Sequence, residues 1–192
     1  MEDRMLRAMA RWPNVPALYG WLFLDRRGNW HVRGERITRP QIIDTINANY
    51  LPDADGAWYF QNGPQRGYVR LAYAPLILTV GADGALLTHT GAQVQAPSAA
   101  WLDEDGSLLL STEHGPALLA DTEGDWLLDR LIGEDNPVDE VQLAQALAQP
   151  SGSPTGLWLS WGNGHSLALN RLDAAQAPAT LGFIADPQPS DT

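Results

Sequence analysis

No cysteine occurs in the 192 residues, and no lysine either: all twelve basic residues are arginine. The first absence excludes disulfides, thiolate zinc sites, iron–sulfur clusters and thiol nucleophiles. The second excludes lysine Schiff-base chemistry and P-loop phosphate transfer. No run approaches the ~20 apolar residues that a membrane-spanning helix needs. The first twelve residues lack the apolar stretch of a secretory signal, and no Asn-x-Ser/Thr sequon occurs. The expected location is therefore the cytoplasm. Only 18% of residues are charged while 44% are apolar, which argues against wholesale disorder. Helix breakers are abundant, with 18 Gly and 14 Pro along the whole length, and they exclude a long helical bundle or coiled coil.

A chain of this length buries roughly 70% of its unfolded surface, enough for a core without covalent staples. Its formal charge of -11 is unevenly spread. Residues 1–70 carry ten Arg against seven acids, whereas residues 71–192 carry two Arg against sixteen acids. The sign changes near Gly81. Four segments are expected: an amphipathic stretch over 1–14, an Arg- and aromatic-rich β-β-α-β-β unit over 15–80, an acidic β-hairpin unit over 81–186, and a frayed tail over 187–192. In the first segment Met5, Met9 and Trp12 fall at helical spacing opposite Arg4, Arg7 and Arg11. Such a basic amphipathic segment suits peripheral membrane contact or packing on its own domain.

Strand signals come in pairs joined by acidic glycine turns. Tyr19–Leu24 runs through Asp25-Arg26-Arg27-Gly28 into Trp30-His31-Val32, a hairpin pattern that needs positive φ at glycine. Thr38-Arg39-Pro40 opens a helix with Thr38 as its cap, and Ile42, Ile43 and Ile46 share its apolar face. Further turns are expected at Gly56, Gly63, Gly84, Gly106 and, more weakly, Gly124, with a last hairpin turning at Gly162-Asn163-Gly164. A second helix is expected at about 138–148. The fold class is α+β: mostly antiparallel hairpins in a meander, with two or three short helices.

One stretch carries a family likeness. Gly28-Asn29-Trp30, then Gly34-Glu35-Arg36-Ile37-Thr38-Arg39, then the helix, Gly56-Ala57-Trp58-Tyr59-Phe60, and a strand ending in Ala74-Pro75 follow one another. This order resembles a family of uncharacterised proteobacterial proteins known only as a domain of unknown function, over roughly residues 20–80. The resemblance implies an α+β fold of repeated hairpins, no established activity and a link to signalling. It carries over no functional residues.

Few constellations can carry chemistry. Gly164-His165-Ser166-Leu167-Ala168 approaches a nucleophile elbow, but it sits in a hairpin pattern and no His follows it for a triad. His31, His89, His114 and His165 match no metal template. Asp103-Glu104-Asp105-Gly106 reads as a hairpin turn rather than a calcium loop, because Gly and Glu fall at the wrong positions. No catalytic set, metal set or cofactor is assigned. Arg33, Arg36, Arg39, Arg66 and Arg70 form the candidate anion-binding set: three flank the helix start, and guanidinium forks suit phosphate or carboxylate. The alternative is that these residues pair with the acidic half of the same protein.

The sequence reads as a non-enzymatic ligand-binding or protein-interaction module, with a small anionic ligand or a protein as partner. The alternatives are a hydrolase using paired carboxylates of the acidic half, or a self-associating homo-oligomer that docks basic on acidic halves. Nucleic acid is not expected, since the net charge of -11 repels it and no reader motif is present.

Overall fold

The computed structural model describes residues 15–134, 137–162 and 164–189. The amphipathic segment read over 1–14 lies outside the described residues, as do Asn163 of the last turn and the final three residues of the tail. Among the described residues the chain is α+β, with fourteen strands in two mostly antiparallel sheets and four short helices. No described helix is long and apolar enough to cross a membrane.

The first compact unit comprises residues 15–25, 29–73 and 182–189. Its strands are β1 (Leu18–Leu24), β2 (Trp30–Val32), β3 (Glu35–Arg36), β4 (Tyr50–Pro52), β5 (Trp58–Asn62) and β6 (Gln65–Leu71), in the order β3-β2-β1-β6-β5-β4. Neighbours run antiparallel except β1 and β6, which are parallel. Helix α1 (Pro40–Asn47) links β3 to β4. It begins one residue later than the sequence suggests: Arg39, not Thr38, is the N-cap and makes no side-chain cap bond. Pro40, with φ preset for a helix and no amide hydrogen to satisfy, fixes that boundary. The helix buries Ile46 and accepts, through Asn47 Oδ1, a 2.8 Å hydrogen bond from the Trp30 indole. Trp30 packs edge-on against Tyr50, and Tyr50 tilts onto Trp58. With Leu24, Val69 and Leu71 these rings make the core of this unit.

The second compact unit comprises residues 26–28 and 74–181. It contains β7 (Leu76–Val80), β8 (Leu86–Thr88), β9 (Ala99–Leu102), β10 (Leu108–Thr112), β11 (Gly115–Leu119), β12 (Leu131–Ile132), β13 (Pro154–Gly162) and β14 (His165–Arg171). The strand order is β12-β13-β14-β9-β10-β11-β7-β8, with parallel contacts at β11–β7 and β14–β9. Leu108, Leu109 and Leu110 are all buried, so the middle of this sheet is covered on both faces and shows no polar alternation. Three helices belong here: α2 (Gly124–Leu128), α3 (Glu140–Leu147) and α4 (Ala177–Leu181). Helix α3 starts with a reciprocal capping box between Asp139 and Gln142.

The expected turn chemistry recurs. At Asp25, Asp53 and Asp103 the side chain accepts the amide four residues on, from Asn29, Ala57 and Ser107 respectively, at 2.7 to 2.9 Å. Gly28, Gly56, Gly84 and Gly106 follow with φ between 77° and 88°. Gly56 is constrained further, because a Cβ there would run into the Gly182 carbonyl. Gly124 breaks the pattern. The run Leu118–Leu127, read as a weak hairpin, instead passes through a 3-10 turn at Asp121–Glu123 into α2, and Gly124 takes a helical φ of -57°.

Candidate functional site

Side chains alternate between faces along a strand, so strand register fixes which groups meet. Phe23 of β1 lies opposite Arg70 of β6 and opposite His31 of β2; His31 in turn lies opposite Arg36 of β3. A row Arg36–His31–Phe23–Arg70 therefore crosses four strands on one face of the first unit. Tyr68 and Arg66 share that face of β6. Tyr59 lies directly across from Tyr68, and Tyr19 stacks on Tyr68 with centroids 4.7 Å apart.

The arginines rest on these rings. The guanidinium carbon is 3.7 Å from the Trp21 centroid for Arg33, 4.4 Å from Tyr59 for Arg66 and 4.5 Å from Phe23 for Arg70. A guanidinium lying over a ring keeps its in-plane N–H donors available, so an aromatic bed orients the fork without consuming it. Two of the set reach a carboxylate through a neutral intermediary. Arg36 donates to Asn29, whose amide donates to Asp25; the same carboxylate lies 3.1 Å from His31 Nε2. Arg66 hydrogen bonds to Tyr68, whose hydroxyl donates to Asp53 at 3.0 Å. That hydrogen bond to Tyr68 is the main reason the Arg66 pKa is raised, and desolvation raises that of Tyr68.

Among the described residues none of Arg33, Arg36, Arg39, Arg66 and Arg70 forms an ion pair. Arg27, by contrast, pairs with Asp121 at 2.8 Å, and Arg171 with Asp173 at 2.8 Å. Arg39 stands apart from the row as the exposed N-cap residue of α1. The structure thus lays three of the five on aromatic rings, with Arg36 at the end of the same row, held by Asn29 rather than by a ring. Sequence reasoning had not picked out that bed of Trp21, Phe23, Tyr59 and Tyr68 as part of the site. The signal for it is pairing register, which local patterning does not contain.

The remaining chemistry-bearing residues have structural work. Asp103 Oδ1 is taken up by the amides of Asp105 and Ser107, which is turn geometry. Ser166 lies in β14, which continues as strand to Arg171 rather than turning into a helix as an elbow does. Three carboxylates of the acidic half are held below their ordinary range. Glu104 is lowered by the Ala174 amide and Asp121 by hydrogen bonds from Arg27. Burial opposes the shift at Glu113, but the amides of Gln95 and Ala96 outweigh it. A general acid requires the opposite shift.

Residues 1–188 match the pattern of a family described as a protein of unknown function (DUF2946). The fold is similar to the crystal structure of a DUF1285 family protein from Silicibacter pomeroyi DSS-3. The likeness covers 85% of this chain and 86% of that one, at 17% identity and a TM-score of 0.53. A DUF1285 family protein from Shewanella baltica OS155 matches 54% of this chain and 86% of its own, at 15% identity and a TM-score of 0.40. No curated protein matches the sequence.

Proposed function

We propose, for a chain that belongs to this family of proteins of unknown function, that it is a non-enzymatic interaction module that docks an acidic polypeptide segment. The docking surface is the Arg and aromatic face of the first unit. The recognition unit of this reading is the segment 15–80, and 81–186 is its acidic companion. One observation carries it: Arg33 and Arg70 lie on Trp21 and Phe23 with no carboxylate partner among the described residues. Charge held on a rigid aromatic bed and left unneutralised is what an incoming carboxylate requires. An open sheet face suits an extended acidic segment better than an enclosed small anion, because strand rows offer donors at regular spacing.

Titrating the full chain with an oligoglutamate peptide by calorimetry tests this. Saturable binding should weaken as salt rises. The double variant Arg33→Asn, Arg70→Gln should lose about tenfold or more in affinity, whereas Arg39→Gln, off the row, should not. Equal losses in both variants, or none, would contradict the assignment. Light scattering over the same salt series distinguishes an external acidic partner from a second copy of the chain.

A further inference from the structure

The two arginines of residues 71–192 are used in opposite ways. Arg171 is 4% exposed and ion-paired: Nη2 lies 2.8 Å from Asp173 and 3.8 Å from Glu104, and Nε donates to the Leu147 carbonyl at 3.0 Å. Arg130 sits in the same acid-rich stretch yet forms no ion pair among the described residues. Its guanidinium lies 4.3 Å from the Trp126 centroid, with one long donation of 3.4 Å to the Trp126 carbonyl.

Arg130 faces a cleft. Together with Trp126, Trp161, Gln93 and Gln95 it lines a cavity of about 340 Å³, to which Leu86 and Val94 contribute buried apolar surface. The walls are fixed by the rest of the unit. The Trp126 indole donates to the Gly84 carbonyl and the Trp161 indole to the Gln95 carbonyl, so both rings have their polar edge satisfied. The rings meet edge to face at 6.3 Å. Glu113 accepts the amides of Gln95 and Ala96, and His114 Nε2 is 2.9 Å from the Gln93 carbonyl, which anchors the segment carrying both glutamines. The side-chain amides of Gln93 and Gln95 make no hydrogen bond among the described residues. Trp161 also borders a second cavity of about 340 Å³ with Pro97, His165 and Leu167, so its indole stands between two openings.

We propose that this cleft is a binding site for a small aromatic carboxylate, with the ring against Trp161 and the carboxylate on Arg130. A guanidinium without an ion pair, held over the Trp126 ring, presents a planar fork that a carboxylate meets with two parallel hydrogen bonds. Trp161, half-buried where Leu86 and Val94 are buried, supplies the face for a ring, and ligand cavities of this size combine such surface with a few polar groups. No Asp or Glu is among the lining residues, which disfavours cations and removes the strongest acceptors for sugar hydroxyls. A single guanidinium suits a monoanion rather than a phosphate. The site is independent of the sheet face proposed above and shares no residue with it.

Calorimetry on the full chain with benzoate and indole-3-carboxylate as probes tests it, with benzamide as the uncharged counterpart and inorganic phosphate as the anion without a ring. At least one carboxylate should bind saturably and perturb tryptophan fluorescence, with benzamide and phosphate about tenfold or more weaker. Arg130→Gln should lose about tenfold or more with little change in melting temperature, and Trp161→Leu should weaken the same probe. The proposal is overturned if neither carboxylate saturates by ~10 mM, if benzamide or phosphate binds equally well, or if both variants bind as the parent does.

Discussion

Arg33 holds its guanidinium 3.7 Å from the centroid of Trp21 while its own backbone adopts φ of 51°. Among the described residues it is the only non-glycine residue in the left-handed region. It occupies the first position of the two-residue turn between Val32 and Glu35, followed by Gly34 at φ 87°. Turn chemistry favours Asn or Gly there, and a long side chain costs about 1 kcal/mol. An exposed cation–π contact returns about 0.5–1 kcal/mol, so the two effects nearly cancel. Stability alone does not explain an arginine at this position.

Replacing Arg33 with Asn therefore separates folding from binding. The variant should melt within a few degrees of the parent, because relief of the turn offsets the lost ring contact. Its affinity for an acidic peptide should nevertheless fall. Thermal unfolding and calorimetry on the same sample check both halves, and a marked loss of stability with unchanged binding would make Arg33 structural.

Asp103 is fully buried at the first position of the β9–β10 turn, and its Oδ1 accepts two amides at 2.9 and 2.7 Å. Asp103→Ala strands both donors and should cost about 2 kcal/mol in urea unfolding. Asp103→Asn keeps an acceptor oxygen in the same place and should recover most of that loss. An equal loss in both would show that the charge, not the turn bonding, is what matters.

The same turn explains what local sequence can and cannot convey. Asp-x-x-Gly at 25, 53 and 103 is complete within five residues, so the hairpins and their left-handed glycines are legible without a structure. Asp121-Thr122-Glu123-Gly124 has the same letters, but there Asp121 is exposed and hydrogen bonded to Arg27, and the chain continues into α2. The parallel pairings of β1 with β6, β7 with β11 and β9 with β14 join strands far apart in sequence, and no local pattern specifies them. The site follows the same division. The arginines are visible as a set, but the rings beneath Arg33, Arg66 and Arg70 depend on register, and the Trp126–Arg130–Trp161 cleft needs residues 84–95 brought alongside.

Arg171→Met tests the one buried arginine among the described residues. The substitution keeps much of the volume but leaves the Leu147 carbonyl without this donor and removes the partner of Asp173. Both carboxylates that face Arg171 retain 45% side-chain exposure, so water can solvate them. The expected loss is about 2–3 kcal/mol, less than for a fully buried pair. Because the Ala174 amide is the larger influence on Glu104, the acid titration of that carboxyl should move only slightly. Denaturant unfolding gives the first quantity and NMR titration the second.

His89 makes stability depend on pH in a window of its own. Burial lowers its pKa from 6.5 to about 4, and Nδ1 accepts the Ile77 amide at 3.2 Å, which fixes the neutral ring with its proton on Nε2. The unfolded chain takes up a proton near pH 6.5 and the folded chain does not until about pH 4, so between those values the unfolded state binds more protons. The stability due to the neutral ring is complete above pH 6.5 and is lost as pH falls, by about 2 kcal/mol between pH 7 and 5. Glu104, Glu113 and Asp121 act in the same direction, but mainly as pH falls through their unfolded values of 4.5, 4.5 and 3.8, below this window. Melting measured from pH 7 to 5 therefore isolates the histidine. In His89→Asn, where the amide oxygen can still accept from Ile77, the slope over that window should largely disappear. An unchanged slope would mean that another group carries the titration.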